Sequence, residues 1–313
     1  MTDLSRREIS KVTALTNPVS GHGAAVAAAQ TAIARLHHRG VEVVEIIGDS
    51  AEDARYLVSA ALEKGTDAVM VTGGDGVISN ALQVLAGTDV PLGIIPAGTG
   101  NDHAREFAIP TKDPEAAADI IVDGWTETID LGRIRCGSGP KNSVKWFGTV
   151  AAAGFDSLVT DRANRMRWPH GRLRYYLAML AELSQLRLLP FRLVLDGTPE
   201  GTEVIDADIT LAAFGNTRSY GGGLLICPNA DRTDGLLDIT MAHSDSRTKL
   251  VRLFPTVMKG THVELDEVST ARATSIHVEC PGISVYADGD FACLLPAEIS
   301  AVPRALQILR PNR

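Results

Sequence analysis

The densest chemical signal in the chain is Val71-Thr72-Gly73-Gly74-Asp75-Gly76, placed where an apolar β-type run stops and a helical pattern starts. A turn there leaves unpaired N–H groups at a helix N-terminus, where they meet phosphate, and its glycines let backbone approach closely. Asp75 is then placed to reach a metal ion or its water. Gly and Asp also dominate plain strand-to-helix turns for conformational reasons, so this segment alone supports either reading.

Two further turns change the balance: Asn17-Pro18-Val19-Ser20-Gly21 and Pro96-Ala97-Gly98-Thr99-Gly100-Asn101-Asp102, each after an apolar run. If the three preceding strands are parallel neighbours, the turns meet along one sheet edge as a wall of N–H groups, hydroxyls and carboxylates suited to a triphosphate. No GxxxxGK[ST] loop is present and none of the three turns contains lysine, so Mg²⁺ or a distant base must neutralise the phosphates. Gly21-His22-Gly23 opens like a dinucleotide fingerprint, but Val26 stands where the third small residue belongs. Later in the chain, Tyr286-Ala287-Asp288-Gly289-Asp290 offers a carboxylate at a strand end, in a dipeptide that equally makes a hairpin turn. Asp231-Arg232-Thr233-Asp234-Gly235-Leu236 is an acidic loop that fits a turn with or without an ion.

The elements that must position these residues fall into two textures. From Lys11 to about Asp130, β-rich runs such as VTALT, VEVVEII and DAVMVTGG alternate with Ala-rich helical stretches, which predicts βαβ units and a parallel sheet. Beyond Ile129-Asp130-Leu131-Gly132 come separated β-type runs, VKWFGTVAA, FRLVLDG, ADITLAAFGN, LLDITMA, SIHVEC and ISVYAD, interrupted by a helical insertion around Leu173 to Leu188. The fold class expected is therefore α/β, with a three-layer nucleotide-binding domain over 1–130 and a mostly antiparallel, sandwich-like domain over 131–295. Residues 296–313 are expected to pack back on the first domain, and the active site to lie in the cleft between the two.

Bulk properties set the outer limits. At 313 residues the chain exceeds the roughly 250 to 300 at which one core stops growing. A net charge of −8 excludes a general nucleic-acid binder. No apolar h-region opens the chain and no run of about 18 apolar residues occurs, so neither secretion nor spanning is expected. Cys136, Cys227, Cys280 and Cys293 lack paired short spacings and read as reduced structural thiols, consistent with a cytoplasmic address.

Taken together, NPVSG, VTGGDGV, PAGTGNDHAR and ADGD resemble the soluble bacterial diacylglycerol kinase and lipid kinase family, notably its mycobacterial members, over nearly the whole chain. GNTRSYGGG, ICPNA and the acidic loop fit the same resemblance. It implies an ATP- and Mg²⁺-dependent transfer to diacylglycerol, giving phosphatidic acid, by an enzyme working peripherally at a membrane surface and allowing a homodimer. Asn17, Pro18, Ser20, Gly21, Gly73, Gly74, Gly76, Thr99 and Asn101 would then border ATP, with Asp75 and Asp102 organising the catalytic Mg²⁺. Asp288 would take the proton from the attacking hydroxyl, with Asp290 beside it. Asp231, Asp234 and Leu236 would hold a second, structural Mg²⁺. Two positions depart from the family pattern: Val77 replaces the usual Thr, and Asp290 stands where Glu is usual.

For the bilayer contact, Arg162, Arg165, Arg167, Trp168, Arg172, Arg174, Tyr175 and Tyr176 gather cations and interfacial aromatics, and Leu186, Leu188, Leu189 and Phe191 offer an apolar wall for acyl chains. The plainer reading has Leu173, Leu177, Leu180 and Leu183 as the buried face of a helix whose arginines are solvated. An NAD kinase shares GGDG and is the nearest competing enzyme, and ceramide or another lipid alcohol is an alternative acceptor. A non-catalytic nucleotide or lipid-binding regulator would not need Asp75, Asp102 and Asp288 intact.

Overall fold

The computed structural model describes residues 4–16, 24–137, 143–166, 168, 172–198, 201–244 and 246–312. The chain divides into two compact units, one of Met1–Leu131, Gly221–Gly223 and Val302–Arg313, the other of Gly132–Tyr220 and Leu224–Ala301.

In the first unit β1 (Leu4–Arg6) and β2 (Lys11–Thr16) precede α1 (Ala24–His38), β3 (Glu42–Ile47), α2 (Ala51–Glu63), β4 (Ala68–Gly73), α3 (Asp75–Leu85), β5 (Leu92–Pro96), α4 (Asp102–Glu106), α5 (Pro114–Asp123) and the start of β6 (Trp125–Cys136). Strands β3, β2, β4 and β5 lie side by side in that order, all parallel. Every residue of β4 and β5 is buried, which is why both read as continuous apolar runs rather than alternating ones. Helix α1 packs with α5 and α2 with α3. Local chemistry fixes the helix ends: Ser50 caps α2 by accepting from Asp53 N–H at 3.1 Å, and Asp113 caps α5 ahead of Pro114.

The second unit continues from β6 through β7 (Ser143–Phe147), β8 (Val150–Gly154), α6 (Phe155–Arg165), α7 (Arg172–Ser184), β9 (Leu189–Thr198), β10 (Gly201–Ile209), β11 (Leu211–Gly215), β12 (Leu237–Ala242), α8 (Arg247–Lys259), β13 (Val268–Ala273), β14 (Ser275–Glu279), β15 (Ser284–Ala287), β16 (Asp290–Leu294) and the start of β17 (Ala297–Leu309). Strands β13, β12, β11, β8, β15 and β16 form one antiparallel sheet in that order, and β10, β9, β14 and β17 are antiparallel neighbours in another. The period of two explains the sandwich: Ala151 and Ala153 of β8, with Ala212 and Phe214 of β11, enter the core shared with Leu193, Leu195, Ile276 and Ile299. The alternate residues Val150, Ala152, Leu211 and Ala213 face the other way, against Ile226, Cys227 and Val257.

The structure corrects three expectations. Cys136 and Cys293 form a disulfide with Cα atoms 6.1 Å apart, while Cys227 and Cys280 are free and buried. Wide sequence spacing says nothing about proximity once β6 and β16 share a unit. The disulfide also removes the cysteine argument for a reducing compartment. VKWFGTVAA is two strands, not one, broken at Gly148-Thr149. On α7, Leu177 and Leu180 are exposed, because small Ala178 packs against Val159 and Ala163 of α6 in their place.

Candidate functional site

The turns after β4 and β5 are adjacent because their strands are. A Cβ built on Gly98 would stand 2.4 Å from Gly74 Cα, and one on Gly100 would stand 2.6 Å from Asp75 Oδ2. Only glycine lets these two turns close on each other. Asn101 holds the second turn from within, in the left-handed region at φ 54°. Its side-chain oxygen accepts from Gly98 N–H at 3.0 Å and its amide donates to Gly98 O at 2.9 Å. Gly73 O accepts from Ala97 N–H at 2.9 Å, and Thr99 remains exposed. Asn17, Pro18, Ser20 and Gly21 lie outside the described residues. Val77, the position that departs from the family pattern, is buried.

Asp75 begins α3, and its Oδ1 lies 3.1 Å from His103 Nδ1 and accepts from His103 N–H at 3.3 Å. Burial pushes its carboxyl up, but the hydrogen bonds and charge of His103 and the Asp102 backbone outweigh burial, leaving it below the usual carboxylate value. Asp102 behaves oppositely. Burial, reinforced by the charge of Asp75, pushes its carboxyl above the usual value against the opposing hydrogen bonds of Gly222 and Gly223 and the charge of Arg105. Gly222 N–H donates to Oδ2 at 2.8 Å; Oδ1 is buried, receives no hydrogen bond among the described residues, and lies 3.6 Å from Arg105 Nη1. A buried carboxylate oxygen lacking a donor, beside a second carboxylate, fits a cation as its partner. No group of three or more His, Cys, Asp or Glu gathers among the described residues. A magnesium ion held by Asp75 and Asp102 would therefore complete its shell with water and phosphate, as that ion ordinarily does.

In the second unit Asp288-Gly289 is the two-residue turn of the β15–β16 hairpin, with Ala287 opposite Asp290. Both residues have positive φ, 50° and 83°, the pattern of a type I′ turn. The turn and the chemistry are therefore not alternatives: the twist that Asp-Gly allows folds the Asp288 carboxylate onto the break between β7 and β8. There it accepts from Gly148 N–H at 2.8 Å, Thr149 N–H at 2.9 Å and the Thr149 hydroxyl at 2.5 Å. Asn216, from GNTRSYGGG, clamps that break by donating its amide to Gly148 O and its N–H to Thr149 O, both at 2.9 Å. Asp290 pairs with Lys145 Nζ at 3.3 Å. Thr149 and Asn216 escaped the sequence reading, since a hydroxyl and an amide inside β-type runs carry no spacing signal.

The acidic loop is satisfied internally. Asp231 accepts from the N–H and hydroxyl of Thr233, and Asp234 accepts from Leu236 N–H at 3.0 Å. Arg272 pairs with both Asp234 and Asp238, which places a guanidinium where the resemblance places an ion. A Mg²⁺ ion on Asp234 would have to displace Arg272.

Arg162 is ion-paired to Glu182, and both line a cavity of about 260 Å³ with Phe155, Leu158, Leu186 and Leu189. Nearby, burial pushes Asp156 above its usual value, against a hydrogen bond from the Tyr220 hydroxyl. The free thiols Cys227 and Cys280 are pushed up by burial to about 12 and about 11, which makes them inert.

Residues 11–134 match the family described as "Diacylglycerol kinase catalytic domain", and residues 149–310 the family described as "YegS C-terminal NAD kinase beta sandwich-like domain". A Mycobacterium tuberculosis (strain H37Rv) protein named "Diacylglycerol kinase" is 80% identical over 309 residues, covering 99% of this chain and 98% of that one. A Bacillus subtilis (strain 168) protein of the same name is 25% identical over 300 residues, 95% of each chain. Among solved structures, a diacylglycerol kinase from Bacillus anthracis str. Sterne is similar with a TM-score of 0.71 at 21% identity, covering 98% of this chain and 99% of that one. Yeast NADH kinase complexed with NADH is similar with a TM-score of 0.55 at 12% identity, over 98% of this chain and 85% of that one. These two likenesses concern the fold.

Proposed function

The chain belongs to the diacylglycerol kinase family, and from that premise we propose that it transfers the γ-phosphoryl group of ATP to the free hydroxyl of diacylglycerol, yielding phosphatidic acid and ADP. The likeness, over nearly its full length, to a mycobacterial protein bearing that name supports the acceptor. The observation in the molecule that carries the reading is the pair Asp75 and Asp102, drawn together by glycine turns with one buried oxygen lacking a donor.

On this reading residues 1–130, with 296–313, serve the nucleotide, and 131–295 serve the lipid. N–H groups at the start of α3 and in the turn over 97–101 receive phosphate oxygens, and Gly73, Gly74, Gly76, Thr99 and Asn101 shape that wall. Asp75 and Asp102 would hold Mg²⁺, which when bound supplies the charge neutralisation that turns without lysine lack. Asp288 accepts the proton of the lipid hydroxyl while that oxygen bonds to the γ-phosphorus and the bond to the β–γ bridging oxygen breaks. Thr149 and Gly148 fix the direction in which its carboxylate points. Asp290 would act through Lys145 and water rather than directly on a metal. The cavity beside Phe155, Leu158, Leu186 and Leu189 would receive acyl carbon. Among the described residues no helix is long and apolar enough to cross a membrane.

The test is transfer of labelled phosphate from ATP with Mg²⁺ to diacylglycerol in mixed micelles, with NAD and ceramide in parallel. Labelled phosphatidic acid is expected. Label on NAD or ceramide alone would replace the acceptor, and no transfer to any of them would leave a binding protein.

A further inference from the structure

Helix α8 has more apolar surface than the protein covers. Leu253 is buried and Val257 packs behind the six-stranded sheet, against Ile226 and Cys227. About 100° to 160° around the helix from Leu253, Val251, Phe254 and Met258 form a second stripe at i, i+3 and i+7. That stripe is exposed by 58%, 51% and 58%. A surface helix needs one apolar face to fold, so the second requires another account.

Its charge points to one occupant. From Arg247 to Lys259 the helix carries no carboxylate, in a chain whose net charge is −8; Lys249 pairs with Glu267 at 2.8 Å and Arg247 donates to Ser184 O, so Arg252 and Lys259 are the cations offered to a headgroup. Arg252 and Lys259, seven apart, share one face of the helix beyond Pro255 and Thr248, on the stripe's side away from Leu253. An apolar stripe edged by cations on an otherwise acidic protein is the pattern that beds into the boundary of an anionic bilayer, acyl tails taking the stripe and headgroups the cations.

Position strengthens the argument. Arg247 donates to Ser184 O at the end of α7, next to Gln185 of the cavity lining, and the Thr210 hydroxyl, also in that lining, donates to Ser244 O at 2.6 Å. The segment leading into α8 is thus tied to the cavity wall at two points. We infer that α8, rather than the arginine-rich stretch from Arg162 to Arg174, is the element that seats the second unit on an anionic lipid surface. The inference rests on the lipid-kinase reading for its purpose, but not for its test.

Sedimentation with vesicles of phosphatidylcholine, alone or mixed equally with phosphatidylglycerol, decides it. The intact chain is expected to favour the mixed vesicles. Val251→Ser, Phe254→Ser and Met258→Ser together are expected to weaken that binding about tenfold or more, and Arg252→Glu with Lys259→Glu to abolish the preference for the anionic lipid. Phosphorylation of a short-chain, water-dispersed diacylglycerol should be unchanged in both variants. Undiminished sedimentation of the serine variant, or no binding by the intact chain, overturns the proposal. So does an intact chain that elutes as a dimer and a serine variant that elutes as a monomer, which would assign the stripe to a second copy. Vesicle binding that follows the expected pattern without transfer to any diacylglycerol would remove the kinase reading and leave the seat standing.

Discussion

Asp75-Gly76 and Asp288-Gly289 are the same dipeptide set in opposite ways. The first opens a helix in a parallel α/β unit, where its carboxylate is held by His103 and the Asp102 backbone, beside an Asp102 side-chain oxygen that receives no hydrogen bond among the described residues. The second closes an antiparallel hairpin, and its carboxylate is held by three donors from a neighbouring turn. On the reading proposed above, the difference separates two tasks. A group that binds a cation keeps an oxygen open, whereas a group that must point at one hydroxyl is fixed from several directions.

Breaking the fixed carboxylate should have the largest effect. Asp288→Asn keeps the shape and an acceptor oxygen but cannot take a proton, so kcat should fall about a thousandfold with ATP affinity retained; a variant with near-normal turnover would remove Asp288 from the chemistry. Thr149→Val removes one donor and should cost about tenfold in kcat, from a loss on the order of 1 kcal/mol in positioning, with little change in KM for ATP. An equal change in both would mean that Thr149 is merely structural.

The open carboxylate is sharpened by stability rather than turnover. Because burial and Asp75 raise the Asp102 pKa above its unfolded value, its charge destabilises the fold at neutral pH, and the cost is relieved as pH falls through the raised value. Asp102→Asn should therefore raise the metal-free melting temperature at neutral pH while lowering activity, with the gap closing in acid. Asp75 has the opposite sign: its lowered pKa contributes stability above the unfolded value that is lost as pH falls through the folded one. Less far-reaching is Gly98→Ala, which must open the Gly74 contact, at a cost of about 1 to 3 kcal/mol, measured by denaturant unfolding. The smallest effect concerns Asp234-Gly235. With Arg272 on Asp234, the melting temperature of Asp234→Ala should respond to Mg²⁺ as the intact chain does; a response lost in the variant would restore the ion to that loop.

Much of the first unit was legible in sequence because a buried parallel strand ended by Gly-rich turns leaves an unbroken apolar run, as in DAVMVTGG and PLGIIPAG. The second unit was less so. In VKWFGTVAA only Gly148 hints at the break, and the partner that uses it, the Asp288 carboxylate, lies 139 or 140 residues on. Helix α8 was not anticipated, because Pro255 in its interior reads as a helix breaker. Leu177 and Leu180 were assigned to a buried face because periodicity marks an apolar stripe without saying whether protein or solvent meets it. The Cys136–Cys293 bond could not be seen at all, as pairing over a separation of 157 depends on topology.

That bond makes most of the second unit a covalent ring. Every peptide bond between Cys136 and Cys293 lies within it, including the break that holds Asp288 and the hairpin that presents it. A protease that cuts once inside the ring leaves a single molecule of unchanged mass apart from one added water, and the two pieces part only when the chain is both unfolded and reduced. The oxidised protein thus carries its own splint, and a nicked sample would run as one band without thiol and as two with it.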